Sequence, residues 1–134
     1  AEIPALDKPE APDVKALSLP KTLPGLNIHD TLKALNIGQD VFHRILLGFL
    51  ENNQATLAEI KTAWDEMDWE TLHHLSHSLK GSAGNIGAEA LHEAAIDLEV
   101  ACTAATVVPP PVEMINQVAS ALHQVLESIR SLQG

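Results

Sequence analysis

MDWETLHHLSHSLKGSAGNIG, residues 67–87, reads as helix for most of its length, yet Gly81, Gly84 and Gly87 fall within the eleven residues that begin at His77. Asp68 suits an N-cap, and Leu72, Leu75, Leu79 and Ala83 recur at helical spacing as one apolar stripe. With a rotation of about 100° per residue and Leu72 at the origin, the other three lie within about 60° of it. His77 falls about 140° away, Gly81 about 180°, Gly84 about 120°, His73 about 100° and Lys80 about 80°. Gly81 and Gly84 thus share the face of His77 and not the core side. A glycine in an exposed helix costs about 1 kcal/mol relative to alanine, so two on one solvent-facing stripe need a reason. Close packing against a neighbouring helix is one reason. Leaving an imidazole open to an incoming molecule is another, and the clustering beside an exposed histidine favours it. Gly87 is read as the helix stop.

The flanking sequence extends the helical pattern in both directions. Residues 1–24 hold five of the eight prolines, Pro4, Pro9, Pro12, Pro20 and Pro24, and are expected to form an extended, flexible linker that buries little. Leu26, Ile28, Leu32 and Leu35 then space out one face of a short helix before Gly38. From Asp40, taken as an N-cap, Phe42, Ile45, Leu46, Phe49, Leu50, Leu57, Ile60, Trp64 and Met67 predict a long helix, with a bend at the polar run Glu51–Gln54. Beyond Gly87, a helix is expected with Leu91, Ala94, Leu98 and Ala101 inward. After Pro109, Pro110 and Pro111, with Pro111 in a first helical turn, the last helix is expected to bury Ile115, Val118, Leu122, Val125, Ile129 and Leu132. The predicted fold is all-α: an antiparallel four-helix bundle over residues 25–134 with a short N-terminal lid helix. With two Phe, two Trp and no Tyr, its core must be mostly aliphatic.

Charge restricts the partners. Eight Lys and Arg stand against eighteen Asp and Glu, a formal net charge of -10, which repels phosphate backbones and anionic headgroups, so neither nucleic acid nor direct membrane contact is expected. No apolar run is long enough for a membrane span, and the N-terminus lacks the order of a signal peptide. The single Cys102 sits in the apolar LEVACTAA and reads as a small buried thiol, as suits a reducing, cytoplasmic compartment.

The exposed histidine suggests chemistry. A neutral imidazole is a nucleophile near pH 7 and can carry a covalent intermediate. Lys80, one turn after His77, can bring an ammonium to an anion bound there, and phosphoryl transfer asks a protein mainly to position groups and neutralise charge. The sequence has no GxxxxGK[ST] loop and no kinase-like nucleotide signature, so the phosphoryl group must arrive from another protein.

SHSLKGSAGNIG, residues 76–87, resembles the signature of the histidine-containing phosphotransfer (HPt) domains of multistep two-component signalling, in which a His is followed by x-Leu-Lys-Gly, small residues and a further Gly. PGLNIHDTLKAL is similar to that family's short leading helix, FLENNQATLAEI to its long first bundle helix, and MDWETLHHLSHSLKG to its acidic turn into the histidine helix. ALHEAAIDLEVAC is similar to the segment that follows, and the likeness runs from about residue 24 to 132. The resemblance implies that His77 is the phosphorylated residue and that Lys80 assists the phosphate. It also implies that Gly81 and Gly84, with His73 beside them, form the face on which a partner docks. Ser76 stands where many members have Ala, and the triple proline is unusual at the last connection. The implied partners are response-regulator receiver domains, whose aspartyl phosphate gives or takes the group with Mg²⁺ held by the receiver; no cofactor of the chain's own is expected. Such domains often end hybrid sensor histidine kinases, so a kinase, in the same polypeptide or another, is a further expected partner. The opening Ala1 in place of Met agrees with a piece of a longer, membrane-tethered chain.

Two other readings compete. His73 and His77 lie four residues apart with Glu70 one turn earlier, and helical bundles bind metals between facing helices. Those ligands project inward, however, whereas this pair points away from the core stripe, and no second Glu-x-x-His pair occurs. A pure interaction module that has lost phosphotransfer is the third class, and retention of His77 argues against it. His29, His43, His74, His92 and His123 receive no role, and Glu99 is read as a solvated or helix-pairing residue.

Overall fold

The computed structural model describes residues 19–105 and 107–133, so residues 1–18 of the expected linker lie outside the described residues. The rest is an all-α bundle of α1 (Ile28–Leu35), α2 (Gln39–Asn52), α3 (Thr56–Asp65), α4 (Trp69–Asn85), α5 (Glu89–Cys102) and α6 (Val112–Ser131). Residues 19–24, grouped with the linker on composition, lie on the bundle. Leu19 and Leu23 pack against the core, and Pro24 with Gly25 (φ 81°) makes a tight turn closed by Leu26 N–H donating to the Leu23 carbonyl at 2.8 Å. Ser128 of α6 donates its hydroxyl to the Pro24 carbonyl at 2.6 Å. Proline composition could not show that two leucines among these residues have somewhere to bury.

Local sequence explains the helix ends. Asn27 caps α1 by accepting from Asp30 N–H, and Asn36, in the left-handed region at φ 55°, ends it. α2 begins at Gln39 with Gly38 as N-cap, so Asp40 lies inside the first turn, where its charge still suits the helix dipole. The expected long helix is interrupted, not merely bent. The Asn53 amide donates to the Phe49 carbonyl at 2.9 Å and its oxygen accepts from the Thr56 hydroxyl at 2.9 Å, which ends one helix and starts the next. Asp68 caps α4 as expected, accepting from Thr71 N–H at 3.2 Å, and Pro111 is the N-cap of α6, one residue before its first turn. The Pro110 carbonyl accepts from Trp64 Nε1–H at 3.0 Å, tying the proline connection to α3.

The core is aliphatic. Leu72, Leu79, Leu91, Leu98, Leu122, Leu126 and Ile129 are fully buried around Phe42, and each contributes about 1.5–3 kcal/mol by leaving water. α4 packs most extensively on α5, and α5 in turn on α6. On α5 the buried positions are Leu91, Ala95, Leu98 and Cys102; Ala94 and Ala101, expected inward, are only half-buried. Leu91 and Leu98 are inward as expected, and only the small positions shift by one residue, because the side chains at 94 and 95 offer no contrast of size to orient them. Leu132 lies past the end of α6 and is likewise half-buried.

Gly87 connects α4 to α5 and also receives α1. Its φ of 75° is open to glycine alone at low cost, a Cβ there would overlap Thr31 Oγ1, and its carbonyl accepts from Asn27 N–H at 3.1 Å. The helix stop is therefore also the seat of the leading helix.

Candidate functional site

α4 presents His77 to solvent because Leu72, Ser76, Leu79 and Ala83 hold its other face in the core. Ser76 is buried without a cost in unmet polarity, since its hydroxyl lies 2.9 Å from the Leu72 carbonyl and 3.0 Å from that of His73. His77 itself is 61% exposed.

Glu99 of α5, which sequence reasoning gave no functional role, is the centre of the site. Its Oε2 lies 2.6 Å from His77 Nδ1, its Oε1 lies 2.8 Å from Lys80 Nζ, and His73 Nε2 approaches Oε2 at 3.9 Å. The Glu99 side chain is 15% exposed. Hydrogen bonds from Lys80 and then His77 hold its carboxyl below the ordinary range, against a smaller opposing effect of burial. An ionised carboxylate only accepts, so Nδ1 of His77 must be the protonated nitrogen. In the neutral ring Nε2 then carries the free lone pair, and among the described residues nothing hydrogen-bonds to it. Burial is the main cause that pushes the nearby Cys102 thiol up to about 11, with the Glu99 charge adding to it.

The two glycines of the His77 face differ. A Cβ at Gly81 would meet nothing within 4 Å, so that position is open. A Cβ at Gly84 would stand 3.2 Å from Nδ1 and 3.3 Å from Cε1 of His92. Packing against a neighbouring helix, one of the two reasons the sequence allowed, therefore accounts for Gly84, although its own surface remains exposed.

Glu99 had a signal available in the sequence. His77 lies ten residues before Gly87 and Glu99 twelve after it, so a helical hairpin folded at that glycine brings them level. Lys80 and His92, seven before and five after, meet in the same way. Glu70 does not complete a metal set: among the described residues no three His, Cys, Asp or Glu side chains are grouped so as to hold a metal ion. No helix among the described residues is long and apolar enough to cross a membrane.

A family model described as Hpt domain matches residues 44–131, which covers the whole of α3, α4, α5 and α6 and the C-terminal part of α2. No curated protein and no solved structure matches the chain.

Proposed function

The chain belongs to the Hpt domain family, and from that premise we propose that His77 accepts a phosphoryl group from a receiver-domain aspartyl phosphate and passes it to another receiver aspartate. Hpt domains serve histidine phosphotransfer in phosphorelays as carriers, not as enzymes, and they work with receiver domains of response regulators or kinases. The observation that carries the residue assignment is the pairing of an exposed imidazole with a carboxylate at its inner nitrogen. Glu99 fixes the tautomer, so Nε2 is the nucleophile. Its lone pair attacks phosphorus as the P–O bond to the aspartyl group breaks and that electron pair returns to the aspartate.

Lys80 neutralises charge on the transferred group, moving between Glu99 and the phosphoryl oxygens. Gly81 and His73 belong to the face the receiver covers, and Gly84 shares its edge while serving the contact with His92. Mg²⁺ is the receiver's contribution. In the finer picture α2 with α3, then α4, α5 and α6 are the four antiparallel members and α1 is the lid, a reading supported by the burial of Ile28 and the seat at Gly87. The proposal extends to a cytoplasmic setting in which this domain serves a hybrid sensor kinase on the same polypeptide.

Receiver domains charged with labelled acetyl phosphate test the assignment. Wild-type protein should take up label that is stable to base and lost in acid, and His77→Gln should take up none; equal labelling of both would remove His77 from its role.

A further inference from the structure

We propose that Glu99 keeps a proton on Nδ1 of His77 throughout the transfer cycle, so that the phosphorylated ring is held as a cation and its bond to phosphorus stays easy to break. This rests on His77 being the phosphoacceptor. When Nε2 attacks, no proton has to leave: the product carries phosphorus on Nε2 and hydrogen on Nδ1, a positive ring beside the Glu99 carboxylate. In the onward step an aspartate oxygen bonds to phosphorus, the P–N bond breaks, and its electron pair returns to Nε2 as the neutral ring. Were Nδ1 stripped of its proton first, the departing group would be an imidazolate anion, a far poorer leaving group. A carboxylate at 2.6 Å opposes that loss. Glu99 is thus a positioning residue that acts through His77, and it sets how long the phosphoryl group stays.

The geometry supports a standing charge at this position. Glu99 is fixed from two sides by His77 and Lys80, so it does not swing free when one partner changes hands. When Lys80 turns to the phosphoryl oxygens, the carboxylate is left to the ring alone, and the attraction between the two concentrates there. The charged and titratable groups facing the pair are His73 and Lys80 from α4 and Cys102 from α5; among the described residues no ion pair joins it to α3 or α6. Cys102, with its thiol at about 11, stays neutral over the range of interest. His73 also faces the carboxylate, with Nε2 3.9 Å from Oε2.

The test needs no partner protein. Wild type, Glu99→Gln and Glu99→Asp are phosphorylated with phosphoramidate, freed of reagent, and followed for loss of phosphoryl groups between about pH 6 and 10, with circular dichroism confirming the fold. In Glu99→Gln the amide oxygen still accepts from Nδ1–H and keeps the ring oriented, but the charge is gone. The pH at which loss slows should fall by about one unit, giving up to about tenfold longer retention near pH 8. Glu99→Asp should recover part of the wild-type profile. Superimposable profiles for wild type and Glu99→Gln would overturn this role while leaving His77 as phosphoacceptor. Absence of acid-labile label on the wild type would instead remove the phosphoacceptor assignment, and this role with it.

Discussion

His92 of α5 reaches across to α4 and sets its Nδ1 2.8 Å from the main-chain carbonyl of Lys80. The carbonyl accepts, so Nδ1 carries the proton, and the imidazole comes to lie against Gly84. This contact separates two glycines that look alike in sequence. Gly81→Ala adds a methyl group to open space in a helix interior and should stabilise the fold by up to about 1 kcal/mol. Gly84→Ala pushes on His92 and should gain less or destabilise. Urea denaturation of the two variants decides, and an equal gain in both would contradict the packing role of His92.

Bulk at Gly81 should separate stability from transfer. Gly81→Leu leaves the core untouched and should melt close to the wild type, while its phosphoryl exchange with a receiver should slow, because the side chain would stand on the face proposed for the partner. Stopped-flow transfer rates beside thermal melts measure both, and an unimpaired rate would take Gly81 out of the docking face.

Lys80→Gln removes the ammonium proposed to answer the phosphoryl charge. Because Lys80 is 32% exposed, its loss should cost less than that of a buried donor, about ten- to a hundredfold in transfer rate. Folding should change little, since the ion pair with Glu99 sits near the surface.

Gly87→Ala combines a left-handed backbone with overlap at Thr31, and should destabilise by about 2 kcal/mol or more. Adding Thr31→Ala removes the contact with Oγ1 but leaves the Asn27 carbonyl at 3.0 Å, the Cβ of residue 31 at 3.1 Å and the backbone strain, so recovery should be partial. Full recovery in the double variant would mean that neither the φ of 75° nor the remaining close contacts carry a cost.

Asp68 titrates with the fold. Its hydrogen bonds with Thr71, side chain before backbone, hold its carboxyl below the ordinary value of 3.8. A carboxyl lowered by folding stabilises the native state above its unfolded value, and that stabilisation is lost as pH falls through the lowered one. The difference in melting temperature between wild type and Asp68→Ala should therefore be constant above about pH 5 and shrink below 3.8. A gap that widens in acid would contradict the cap.

Much of this was legible because long amphipathic periods are hard to mistake. The stripe Leu72, Leu79 and Ala83 fixed the side of α4 that faces the core, and with it the exposure of His77. The inner face of α5 was harder to orient, since Ala94, Ala95 and Ala101 differ little in what they gain by burial. Glu99 was passed over for a different reason. Helical periodicity reports which face a residue occupies on its own helix, whereas the importance of Glu99 comes from the level at which α5 runs past α4. That level is set at Gly87, where backbone conformation and the seat for Thr31 meet. Residues 19–24 show the same limit, because their docking depends on Ser128, more than a hundred residues away in sequence.

The most direct measurement is nitrogen-15 NMR of the ring of His77 before and after phosphorylation by a receiver domain. Before transfer, the proton should sit on Nδ1 with Nε2 bare; afterwards, coupling to phosphorus should be found at Nε2 alone. Phosphorus on Nδ1, or on any histidine other than His77, would contradict the account.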